Sequence, residues 1–180
     1  MGFTTARLSA REIEEHDLAW YQDFHLTPEL TQYMVFSFET LESTKQFFYQ
    51  GIEDQAKPER SLYQFAVRDD STGNIIGIGL LGIRPHEPES VEVGYVIFKQ
   101  YWGQGYATEI TKGLHGFVFS TLGKHRAWGK CDEHNPASAR VMEKSGMQFE
   151  GVTREHVFLR GKWRNSKVYS LLEHEWAETN

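Results

Sequence analysis

The sequence predicts a mixed α+β fold, with a central, mostly antiparallel sheet of about seven strands flanked by about four helices, in a single domain over residues 1–180. Three observations carry this. Residues 63–98 contain three apolar runs of strand length separated by turn signals. Two later segments repeat apolar residues at helical spacing and carry helix-end residues where a helix needs them. The chain has 180 residues, 39% hydrophobic and 14% aromatic, with no Pro/Gly/Ser-rich linker and no internal repeat, which suits one core.

In chain order, "TTARL" at 4–8 reads as a first strand. Asp17 is placed to cap a short helix containing Leu18, Tyr21 and Phe24, and Thr40 to cap another with Phe47, Phe48 and Ile52. "QAKPERS" at 55–61 and "RPHEPES" at 84–90 read as loops. Between and after them, 63–69, 75–83 and 90–98 form an antiparallel meander, the first turn being "DDSTGN". A helix follows in "QYWGQGYATEITKGLHGFVF", with Ala107, Ile110, Leu114, Phe117 and Val118 on one stripe. "HRAWGKC" at 125–131 is a strand. Asn135 then stands as N-cap, Pro136 at the first helical position and Gly146 just past the helix end. Two long strands joined around Arg160, Gly161 and Lys162 close the chain.

Composition excludes several function classes. The longest nearly uncharged run, 75–83, is about half the roughly 20 residues of a membrane helix. The first residues lack an apolar core followed by a small-residue cleavage site, so no signal peptide is expected and the expected location is the cytoplasm. The single Cys131 leaves no internal disulfide, and no Cys/His cluster has metal spacing. Net charge is −6 with 19 scattered basic residues, which argues against nucleic acid and tolerates cationic small molecules or peptides as partners. Monomer and homodimer both remain open.

Gly103 and Gly105 weaken a helix, yet they stand directly before one. Either they make a tight strand-to-helix connection, or they open a helix N-terminus whose free amides and dipole hold an anion such as diphosphate. The loop lacks the Gly-Lys-Ser/Thr of a Walker motif, and the antiparallel strands before it rule out a dinucleotide fingerprint. What remains, Gln100-Tyr101-Trp102-Gly103-Gln104-Gly105, resembles the Gln/Arg-x-x-Gly-x-Gly/Ala signature of the GNAT superfamily of N-acetyltransferases. "YWGQGYATE" and "NPASARVMEKSGM" are similar to its ribosomal-protein N-terminal acetyltransferase branch, and the element order matches that fold along almost the whole chain.

The resemblance implies a twisted sheet splayed between strands 90–98 and 125–131, with pantetheine lying in the gap. It implies acetyl-CoA as acyl donor, with no metal. Its pyrophosphate would be held by residues 100–105 and the helix start at Tyr106 and Ala107, Trp102 and Tyr106 serving packing more than chemistry. It places Asn135 and Ser138 at the second cofactor element. Relatives often carry a thiolate-protonating tyrosine seven residues after this Asn, where this chain has Met142, whose thioether donates no proton. Ser138 is the candidate replacement; an ordinary first-turn residue, with water as donor, is the alternative.

An amine attacks a thioester only when neutral, so a proton acceptor is needed. Alternation in 90–98 sets Val91, Val93, Tyr95 and Ile97 on one face and Glu92 with Gly94 on the other. Glu92 is the candidate base, against a plain solvated carboxylate. Neutralising an α-amine at pH 7 costs about 1.4 kcal/mol and a lysine amine about 4.6 kcal/mol. That favours a peptide N-terminal α-amine or an amino sugar over lysine as acceptor; small amines such as polyamines, amino sugars or drugs compete with peptide N-termini, and a CoA-binding domain without turnover is the rival. The resemblance assigns acceptor recognition to 26–38 and 157–163, where Tyr33, Phe36, Phe38 and Trp163 line either a pocket or the core. His134 beside Asn135 reads as solvated.

Overall fold

The computed structural model describes residues 1–26, 28–34 and 40–178. Their strands form one sheet of eight: β1 (Gly2–Thr4), β2 (Leu8–Glu12), β3 (Leu62–Asp69), β4 (Ile75–Arg84), β5 (Glu87–Ile97), β6 (Arg126–Asp132), β7 (Gln148–Leu159) and β8 (Lys162–Leu172). The order is β1-β2-β3-β4-β5-β6-β8-β7, and every neighbouring pair is antiparallel except β5–β6. The helices are α1 (Leu18–Tyr21), α2 (Pro28–Thr31), α3 (Leu41–Asp54), α4 (Tyr106–Gly116), α5 (Pro136–Lys144) and α6 (Glu173–Ala177). The fold class is the α+β one expected; the differences lie in element boundaries.

The single strand expected at 4–8 is instead a turn between β1 and β2. Thr5 closes it locally, its amide donating to the Leu8 carbonyl at 2.9 Å and its hydroxyl accepting from the Leu8 amide at 3.1 Å. Asp17 does not cap α1. It is buried, accepts from both Arg11 guanidinium nitrogens (2.7 and 2.9 Å) and from Trp20 Nε1 (2.9 Å), and closes the 3₁₀ turn before α1 through the Glu14 amide (2.8 Å). Arginine and Trp N–H donors outcompete the helix end for its oxygens. Thr40 does cap α3, accepting from the Ser43 amide at 3.1 Å. The loop expected at 84–90 shrinks to a tight turn, since pairing continues to Arg84 with Glu87. After Gly116 the chain widens into a π turn at Phe117–Thr121, the Leu122 amide donating to the Phe117 carbonyl, and β8 yields to α6 at Glu173.

Strand alternation divides the core into two layers. Val91, Val93 and Ile97 of β5 join Ile110, Leu114 and Phe117 under α4, while Val96, Leu80 and Ile78 meet Tyr21, Phe24 and Phe48 on the opposite face. Each such side chain withdrawn from water contributes about 1.5–3 kcal/mol. The two halves of the sheet meet at β5 and β6, which pair only at Ser90 with Arg126, Val91 with Ala127 and Glu92 with Trp128. Beyond Glu92 the strands part, leaving the facing edges of 93–97 and 129–132 without ladder bonds to each other. This is the expected splay. At its closed end β6 runs tight against β5: a Cβ on Gly129 would stand 3.1 Å from the Val93 carbonyl oxygen.

Candidate active site

The segment before α4 is built as an anion cradle would be. Gln100 and Tyr101 lie in a 3₁₀ turn (Lys99–Tyr101), and Trp102, half exposed, anchors the turn to the end of β5 by donating from Nε1 to the Ile97 carbonyl at 2.8 Å. Gln104 reaches back to the Gln100 carbonyl at 3.2 Å. Gly103 and Gly105 both take positive φ, 75° and 82°, the left-handed region that glycine enters without a Cβ clash. Gly105 is the N-cap of α4. The amides of residues 103 to 108 find no acceptor among the described residues, so six donors are available at the positive end of the helix dipole.

Tyr106 packs, as expected: it is buried and its hydroxyl donates to Asp69 at 2.8 Å. Ala107 is half-buried against the core. Sequence reasoning missed Arg7, whose guanidinium pairs with Glu109 (2.6 Å), donates to the Gln104 carbonyl (3.3 Å) and lies over the Tyr106 ring at 4.5 Å. Thr5 also donates to Glu109, at 2.6 Å. These partners lie about a hundred residues away in sequence, and no local spacing announces them.

Within the splay, Asn135 caps α5 by accepting from the Ser138 amide at 3.1 Å. The Ser138 side chain faces β5, where the Tyr95 hydroxyl stands 3.5 Å from its Oγ. That is long for an O–H···O contact, so both hydroxyls are free to turn toward a third atom. Desolvation pushes the Tyr95 phenol up to about 12, which keeps it protonated. Cys131, beside Ser138, is buried and its thiol is pushed up to about 11 by that burial, so it is a weak nucleophile. Met142 is buried in the core, its sulfur 3.7 Å from where a Gly129 Cβ would stand. Tyr95 is the second residue the sequence did not single out. Its "GY" context marked the strand, but its neighbour Ser138 is 43 positions on.

Glu92 occupies the other face, at the last paired position of β5. Its carboxylate lies between Arg84 (3.6 Å) and Lys130 (3.5 Å), about one-third exposed. The Trp128 ring beneath gathers Arg84, Lys130 and Arg126 at 4.7, 5.7 and 5.9 Å. Farther along this face Asp132 is buried and held below the usual carboxylate range; burial opposes this, and the bonds from Arg164 and His134 outweigh it. His134 is exposed but tied to Asp132. Next to it opens a cavity of about 710 Å³ between Tyr33 and the β7–β8 hairpin. Trp163 lines it and is 59% exposed, so it is not a core residue; Phe36 and Phe38 lie outside the described residues.

The chain matches the family model of the acetyltransferase (GNAT) domain over residues 7–148. It belongs to the GNAT family of N-acetyltransferases. It is 27% identical over 173 residues to the uncharacterized N-acetyltransferase p20 of Bacillus licheniformis, covering 96% of this chain and 97% of that protein. Among solved structures it resembles the spermidine N-acetyltransferase of Vibrio cholerae in complex with CoA and spermine (TM-score 0.82, 21% identity, 96% and 99% of the two chains). It is equally similar to the ribosomal-protein-S5-alanine acetyltransferase of Vibrio fischeri (TM-score 0.82, 21% identity, 98% of each chain). Among the described residues no helix is long and apolar enough to cross a membrane.

Proposed function

We propose that this N-acetyltransferase uses acetyl-CoA to acetylate a peptide N-terminal α-amine. The observation that carries the reading is a juxtaposition: six unpaired amides at the start of α4, and a gap between β5 and β6 that opens beside Glu92 on one face and Ser138 on the other. The residues present fit the donor. Nothing lies within 4 Å of where a Cβ on Gly103 would stand, which leaves room for phosphate against the backbone, and the free edges of β5 and β6 offer an extended amide chain its hydrogen bonds. Gln100, Tyr101, Trp102, Gly103, Gln104, Gly105, Tyr106 and Ala107 form the diphosphate cradle in this reading, with Asn135 and Ser138 along the pantetheine. When bound, acetyl-CoA supplies the activated acetyl group.

The chain's own part is then proton management. Glu92 accepts the proton of the incoming ammonium, directly or through water, and no described hydrogen bond ties up either of its oxygens. Ser138 and Tyr95 hold a proton where the thiolate leaves. The lower cost of neutralising an α-amine favours that acceptor over lysine. Glu92→Gln is expected to lower turnover by roughly 10²–10⁴-fold with CoA affinity nearly intact. The test is thiol release at saturating α-amine beside calorimetry of CoA binding. Unchanged turnover, with chemistry limiting, overturns the assignment.

A further inference from the structure

The chain as a whole is acidic, at −6, but the face that carries Glu92 is not. Residues directly opposite in an antiparallel pair share a face, so the pairs Trp128–Ser170, Lys130–Val168 and Asp132–Ser166 extend one row onto β8, where Arg164 and Lys162 follow at every second position. Lys130 shares Glu92 with Arg84, so two cations attend one carboxylate. Arg164 neutralises Asp132, and Lys162 stands exposed at the cavity mouth. Among the described residues lining that cavity there is no Asp or Glu; His134, Arg160, Lys162 and Arg164 are all basic. From the position opposite Lys130 to Lys162 is six residues, about 20 Å at strand rise. Trp163, 59% exposed, also lines the cavity at its far end and offers apolar surface to a bound chain.

Resting on the acetyltransferase reading above, we infer that the acceptor is a peptide whose N-terminal amine sits at Glu92 and whose next residues are acidic, laid along Lys130, Arg164 and Lys162. A polycation such as a polyamine meets like charge along the same path. Complementary charge of this kind governs choice of partner and steers encounter.

The test compares hexapeptides that share an N-terminal alanine and carry glutamate, glutamine or lysine at the last four positions, together with spermidine. Binding to the CoA-saturated protein is measured by calorimetry and acetylation by thiol release. The glutamate peptide is expected to bind about tenfold tighter than the glutamine peptide, an advantage that shrinks with salt, with the lysine peptide and spermidine weaker than both. Lys162→Glu, at the exposed first residue of β8, is expected to cut the glutamate preference at least about threefold. Equal binding of the glutamate and glutamine peptides, or tighter binding of spermidine, overturns the inference. Binding in the expected order with no thiol released places an acidic peptide on this path but overturns its role as acceptor, and with it the proposed α-amine acetylation.

Discussion

In the proposed mechanism Tyr95 and Ser138 take the place that Met142 leaves open. A CoA thiol ionises near the value of a cysteine, about 8.5, so its departure needs only modest help, and a pair of hydroxyls supplies it more easily than a buried thioether. If the two act as one donor, Tyr95→Phe and Ser138→Ala each slow acetyl transfer by about ten- to a hundredfold, and the double variant is no slower than the worse single one. Single-turnover rates check this; independent, multiplying losses would separate the two groups, and full activity in both would leave water as donor. At this scale the sequence reveals residues whose roles follow from local pattern. The place of Glu92 on its strand face was legible because strand alternation isolates it, and the Asn135 cap because an Asn-Pro pair before an apolar stripe is a helix start. Tyr95 and Arg7 were not, because the partners that give them meaning arrive only through the fold.

Elements show the same division. α5 was legible at both ends, with Asn135 capping it and Gly146 leaving it at φ 95°. The hairpin turn was too: Arg160 and Gly161 both adopt positive φ, 50° and 76°, as a two-residue hairpin turn requires. The segment at 4–8 and the cap at Asp17 were misread because a side chain's local competition for hydrogen bonds is invisible to periodicity. The loop into α4 carries the sharpest element-scale expectation. Gly105 sits at φ 82°, where a β-branched residue costs about 1–2 kcal/mol or more, so Gly105→Val should relax the turn and disperse its amides. Calorimetry is expected to show acetyl-CoA affinity reduced at least about tenfold in a variant whose circular dichroism is native, since about 1.4 kcal/mol is a decade. Unchanged affinity in that folded variant moves the diphosphate elsewhere.

For the whole molecule, His115 on α4 is a deeply buried titratable group. It is 1% exposed, burial pushes its imidazole down to about 4, and Nε2 has no partner among the described residues. The unfolded chain takes up this proton near 6.5, and the folded one refuses it until about 4. Stability is therefore full above 6.5 and lost as pH falls between those values, by roughly 3 kcal/mol at the limit. Thermal melts at pH 7.5 and 5 are expected to show that drop, and His115→Gln to reduce it; a melting temperature flat across this range contradicts the burial argument. The splay has a consequence of another kind. Three residue pairs join β5 to β6, so the sheet is two panels, β1 to β5 and β6 to β8, meeting at a short seam. A molecule lying in the open part of that seam bonds to both panels and acts as a missing strand. Its binding energy then appears as cooperativity between the panels: at a hundredfold excess over Kd, about 2.7 kcal/mol of added resistance to unfolding is available to the seam. Slow hydrogen exchange along β6 in the loaded protein, and faster exchange there than in β3 and β4 when it is empty, is the form that this mechanical role takes.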